Sequence, residues 1–132
     1  MLPFAIEIKP GFPITEQVIF AVKKAVVAGR LKPGTAFPSV RVLSQELRIN
    51  PNTAHKVIAT LVAEGVLLTT PAVGSVVAEP SGADGKAKAA LLDDELERVV
   101  VEAKKLGLGL DEVQTELAAH WRKLGRNRGS AS

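Results

Sequence analysis

The chain has 132 residues, enough for one domain or a small domain with an appendage, and no cysteine, which excludes disulfide frameworks, thiolate zinc sites and cysteine nucleophiles. At 46% hydrophobic it can bury a core, and at 4% aromatic that core must come from Leu, Val, Ile and Ala. The formal charge of +3 is uneven: residues 1–79 hold eight Lys and Arg against five Glu, whereas 80–132 balance nine against nine, so the excess lies where it would suit a polyanion.

Phe4 to Ile8 alternates apolar and other residues and reads as a short strand or extended arm, ended by Gly11 and Pro13. From Thr15 to Ala28 the residues Val18, Ala21, Val22, Ala25 and Val26 recur at helical spacing, with Thr15 a candidate N-cap and Gly29 just past the end. Pro33-Gly34 marks a turn. Ser39 can cap a short helix through Leu47 that buries Val40, Leu43 and Leu47. After a three-residue turn from Arg48, Asn50-Pro51 is a strong helix start, since Asn accepts from an orphan amide and Pro fits the first helical position. That helix carries Ala54, Val57, Ile58, Leu61 and Val62 on one face and stops at Gly65. Two helices so joined match a helix-turn-helix.

Val66–Thr70 and Ser75–Val77 read as two strands around Pro71-Ala72-Val73-Gly74, a hairpin directly after the helix-turn-helix. The expected fold is therefore mainly α with a small β-wing: a winged helix-turn-helix over 1–79, a linker at 80–85 and two further helices over 86–124. In the first of these, Leu92, Leu96, Val99, Ala103 and Leu106 step by 4, 3, 4 and 3, an a/d stripe broken by Gly107 and Gly109. Asp111 with Gln114 makes a capping-box pattern for the second, lined by Leu110, Val113, Leu117, Trp121 and Leu124. Two helices of this size cannot bury such stripes alone, so a homodimer is expected, with Leu92, Leu96, Val99, Ala103, Leu106, Leu110, Val113, Leu117 and Trp121 at its interface. The segment 125–132 reads as a polar, flexible tail.

Pro13-Ile14-Thr15-Glu16-Gln17, Ala28-Gly29-Arg30-Leu31-Lys32-Pro33-Gly34, Phe37-Pro38-Ser39-Val40-Arg41 with Leu43, Asn50-Pro51-Asn52-Thr53, Glu64-Gly65 and Gly74-Ser75 together resemble the GntR family of bacterial transcription regulators. The resemblance covers about residues 13–78, and the short two-helix remainder looks like the YtrA-like subfamily. It implies a sequence-specific DNA-binding regulator, expected to repress, that binds a pseudo-palindromic operator as a homodimer. A recognition helix enters the major groove by its N-terminal residues, which puts Asn50, Asn52, Thr53, His55 and Lys56 near DNA. Asn can read adenine bidentately, Thr offers a hydroxyl or a methyl, and amides near Ser39 and Asn50 can hold phosphates. Arg41 matches the family arginine that reaches DNA from the preceding helix, and Gly74 and Ser75 keep the wing motif.

Three features depart from the family pattern. The wing has neutral Thr70, Pro71, Ala72 and Val73 where basic residues are usual; Arg48 stands in a turn that often has Gly; and His55 puts a titratable group where Arg is frequent. Binding weaker and more sensitive to salt or pH than in basic-winged relatives is expected. The neutral wing also motivates an alternative, a winged-helix module for protein contacts without specific DNA readout. Asp93, Asp94, Glu95 and Glu97 suit a helix start and have no nucleophile or oxyanion device beside them, so no enzyme is expected. His55 and His120 lack companions at metal-ligand spacing, so neither metal nor cofactor is expected. A small-molecule effector of unknown identity stays open. No apolar run approaches the roughly 18 residues of a membrane span. Met1–Lys9 lacks a leader pattern, so the expected location is cytoplasmic, with no membrane partner.

Overall fold

The computed structural model describes residues 2–79 and 85–125. The predicted linker and tail lie outside the described residues, apart from Gly85 and Gly125 at their edges. Helix α1 spans Ile14–Val27, α2 Val40–Leu47 and α3 Pro51–Ala63; β1 (Leu67–Thr70) and β2 (Gly74–Val77) follow. The second part holds α4 (Gly85–Ala89), a π-helical segment (Ala90–Glu95), α5 (Leu96–Lys105) and α6 (Leu110–Gly125).

One apolar cluster organises the first part. Val18, Val22 and Ala25 of α1, Leu43 of α2, Ala54, Val57 and Leu61 of α3, and Leu67 and Val77 of the hairpin are buried together with Phe4, Leu31 and Phe37. The helical spacing of these residues is why the three helices form and which face each turns inward. A Lys23–Glu64 ion pair ties α1 to the residue that ends α3.

The N-terminal segment is the extended arm of the two readings, with no strand pairing. Its Phe4 ring stacks parallel on Phe37, centroids 5.9 Å apart and planes 2° from parallel. The Gln17 side chain holds the arm further along: its Oε1 accepts from the Lys9 amide at 2.8 Å, and its Nε2 donates to the Lys9 and Phe12 carbonyls at 2.9 and 3.0 Å. Helix α1 starts one residue before Thr15. Pro13 occupies the cap position with no side-chain cap bond, so Thr15 is not the N-cap.

The hairpin pairs antiparallel from Leu67↔Val77 to Thr70↔Gly74. Its free edge is covered by the segment before α2, an arrangement no alternating pattern announces. The amides of Gly34 and Phe37 donate to the Val77 and Ser75 carbonyls, both at 2.8 Å, and the Val77 amide donates to Thr35 at 2.9 Å. Edge coverage of this kind satisfies backbone groups and fixes the hairpin against the body. Phe37 thus links arm, hairpin and the entry to α2.

Beyond residue 85, Ala103 is the one buried hydrophobic residue among those described. The a/d stripe is not a regular α-helix throughout: the Leu96 amide donates to Leu91, five residues back, and the π turn inserts a residue into the count between Leu92 and Leu96. The capping box also differs from the sequence reading. Glu112, not Gln114, reaches back, its Oε1 accepting from the Gly109 amide at 2.9 Å, so Gly109 takes the cap position predicted for Asp111. A cavity of about 650 Å³ lies between α5 and α6; Leu117 lines it but Trp121 does not. No helix among the described residues is long and apolar enough to cross a membrane.

Candidate nucleic-acid interface

Both helices of the helix-turn-helix start as their sequences dictate. Ser39 Oγ accepts from the Val42 amide at 3.2 Å, and Asn50 Oδ1 accepts from the Asn52 amide at 2.7 Å with Pro51 at the first helical position. Capping leaves other first-turn amides of each helix open to solvent, where they favour anions.

On α3 the buried positions Ala54, Val57 and Leu61 face the core. The helical period therefore leaves Asn52, His55 and Lys56 exposed and Thr53 half-buried. Asn50, Ser39 and Arg41 are exposed as well. The Asn50 carboxamide oxygen is engaged as a cap by one bond, which leaves its NH₂ and the oxygen's second lone pair for a ligand.

From Val40 to Ala63 the chain has three cations, Arg41, Arg48 and Lys56, against one acid, Glu46. Among the described residues none of these cations, nor His55, has an ion-pair partner. These exposed cations, spread over α2, the turn and α3, give this segment an excess of positive charge of the kind that favours a polyanion.

The hairpin tip is uncharged. Thr70 Oγ1 donates to the Gly74 carbonyl at 3.0 Å and closes the loop, Ala72 takes a positive φ of 70°, and Val73 is exposed. Gly74 is exposed with φ 94° and Ser75 is half-buried. Of the two, Gly74 offers bare backbone at the tip.

The residues singled out at the far end form no shared core. Leu92, Leu96, Val99, Leu106, Leu110, Leu117 and Trp121 are all exposed in the single chain; Val113 is half-buried and Ala103 buried. Val100, Val101 and Leu108 join them on the surface, which the sequence reading did not single out.

Residues 14–77 match the family model described as bacterial regulatory proteins, gntR family. Over 109 residues the chain is 29% identical to the HTH-type transcriptional repressor YtrA of Bacillus subtilis (strain 168), covering 82% of this chain and 84% of that protein. It is 30% identical over 101 residues to the HTH-type transcriptional regulator YhcF of the same organism, covering 76% and 84%. A crystal structure of a transcriptional antiterminator from Listeria monocytogenes EGD-e superposes with a TM-score of 0.81 at 25% identity, over 92% of each chain.

Proposed function

The chain belongs to the GntR family of bacterial regulatory proteins, a DNA-binding winged-helix transcription regulator and not an enzyme, and from that premise we propose that it is a homodimeric repressor of a pseudo-palindromic operator. The observation that carries the reading is the solvent-facing N-terminal turn of α3, where Asn52, His55 and Lys56 stand clear of the core on a capped helix. Asn52 and Thr53 read base edges, with the Asn50 NH₂ beside them. Lys56, Arg41 and the Ser39 amide region hold phosphates, and His55 donates or accepts at the groove edge. Gly74 and Ser75 bring wing backbone to the adjacent minor groove. That YtrA is a repressor supports repression here.

Dimerisation is read from the second part. Helices α4 to α6 bury only Ala103 among the described residues, and a second copy supplies the missing half of their core. The N-terminal unit 1–79 then acts as the DNA head and 86–124 as the clamp. Two-fold symmetry places the two α3 helices about one duplex turn apart, ~34 Å, in successive major grooves.

The test is fluorescence anisotropy of the full chain with the intergenic duplex upstream of its own gene and a scrambled duplex, from roughly 50 to 200 mM salt. Preferential binding of the native duplex, saturating at two chains per site, is the expected result. Equal affinity for both duplexes, or no salt-dependent binding, overturns the proposal and favours the protein-contact module.

A further inference from the structure

We infer that Arg48, in the turn between α2 and α3, grips a DNA phosphate beside the recognition helix, and that the chain keeps a strained backbone there to place it. The inference rests on the reading that α3 enters the major groove.

Three other helix exits among the described residues share one device. Past α1, α3 and α5 the chain turns out through glycine, Gly29 at φ 83°, Gly65 at φ 78° and Gly107 at φ 78°. Glycine is used there because the left-handed region costs it nothing, whereas a Cβ crowds the backbone. Past α2 the same conformation falls on Arg48, at φ 57° and ψ 48°, with its amide donating to the Ser44 carbonyl. Arginine is not among the residues that adopt this region readily, unlike Asn or Asp.

Among the described residues no ion pair compensates Arg48, and its side chain is exposed. A local rule broken without a folded-state gain points to function. Location supplies the function: Arg48 lies two residues before Asn50, the cap of α3, on the segment that also carries Arg41 and Lys56. A guanidinium so placed meets the sugar–phosphate backbone flanking the groove that α3 reads, and its fork matches phosphate oxygens bidentately. Such a contact fixes the register of α3 and carries no base preference.

The experiment compares the full-length wild type with Arg48→Gly, Arg48→Lys and Arg41→Ala, by thermal melting and by anisotropy against the native and scrambled duplexes across salt. Arg48→Gly is expected to melt about 4 °C higher, because the strain is relieved. Its affinity is expected to fall about eightfold per contact near 0.1 M salt, equally for both duplexes, with log K against log[salt] shallower by about 0.9 per contact. Arg48→Lys keeps the slope. An unchanged slope in Arg48→Gly, a loss confined to the native duplex, or a lower melting temperature each overturns the inference. Arg41→Ala separates the two levels: if it shifts the slope and Arg48→Gly does not, only the Arg48 assignment fails. If neither does, the placement of the whole DNA-facing surface fails with it.

Discussion

Trp121 is the place to test whether α6 clamps a dimer. It is 72% exposed in the single chain, while Leu117 one turn back and Leu110 at the helix start are also exposed. An indole offers ~150–250 Å² for burial, so about 110–180 Å² remains for a partner to cover, equivalent to ~3–4.5 kcal/mol at ~25 cal/mol per Å². Alanine keeps part of that area, and a helix-face residue is rarely covered completely, so Trp121→Ala removes about 2 kcal/mol per copy. A two-fold interface uses the residue twice, which brings the loss to about 4 kcal/mol and raises the dimer dissociation constant roughly thousandfold. Sedimentation equilibrium over a concentration series reads this directly, with circular dichroism confirming that the helices persist. Duplex binding should weaken in parallel by about 10²–10⁴, since each head then binds without the gain in effective concentration that its partner supplies. A Trp121→Ala chain that dimerises at the wild-type midpoint refutes the assignment of this face to the dimer.

Two further outcomes follow from the first part. Phe4→Ala removes a ring that is 7% exposed and stacked on Phe37, so unfolding in urea should show a loss of about 3–5 kcal/mol, and a loss under about 1 kcal/mol would mean the arm is not part of the core. Asn52→Ala should relax discrimination at one base position by about 1–3 kcal/mol, whereas Arg41→Ala should weaken native and scrambled duplexes alike; anisotropy with single-base operator variants distinguishes the two.

The helices of the head were legible because their signals are local. Ser39 and Asn50 bond the amides their positions imply, and the 3.6-residue spacing of Val18, Val22 and Ala25 or of Ala54, Val57 and Leu61 names the buried faces. What was missed depends on partners distant in sequence or on backbone geometry alone. The segment 34–37 joins the hairpin through amides and carbonyls, which no side-chain alternation encodes. Pro13, with its fixed φ and no side-chain acceptor, opens α1 where Thr15 had the better capping chemistry. At α6, Glu112 won the reach back to Gly109 over the pair Asp111 and Gln114 because the helix begins at Leu110, two residues earlier than a cap at Asp111 implies. The π turn at Ala90–Glu95 is a choice of hydrogen-bond partner inside a helical run, and an a/d count passes over it. Of the residues named on α3, Asn52, His55 and Lys56 stand exposed and Thr53 is half-buried, because the 3.6-residue period that buries Ala54, Val57 and Leu61 turns them outward; what each of them touches is decided by a partner that the fold alone does not supply.

The neutral wing makes the salt dependence a quantitative question, and the charge count reverses one expectation. Fewer cations at the wing do imply weaker binding. They do not imply greater salt sensitivity, because that comes from counterions released as phosphates are neutralised, and a neutral wing releases none. The exposed cations of the helix-turn-helix with no ion-pair partner among the described residues are Arg41, Arg48 and Lys56. Three phosphate contacts per head give a slope of log K against log[salt] of about −2.7, and two heads give about −5. Between 50 and 200 mM salt the affinity should therefore drop about thousandfold; two added wing cations per head would make the drop about 10⁵-fold. Replacing Pro71 and Val73 by lysine in the full chain tests this from the other side, since the slope should steepen toward about −9 if the wing lies against phosphate. A wild-type slope steeper than about −8 would mean that cations outside this set, such as Lys9 or Lys32, reach the duplex. A lysine-bearing wing that leaves the slope unchanged would place the hairpin away from DNA, and its exposed Leu68 and Val73 would then mark a surface for protein contact.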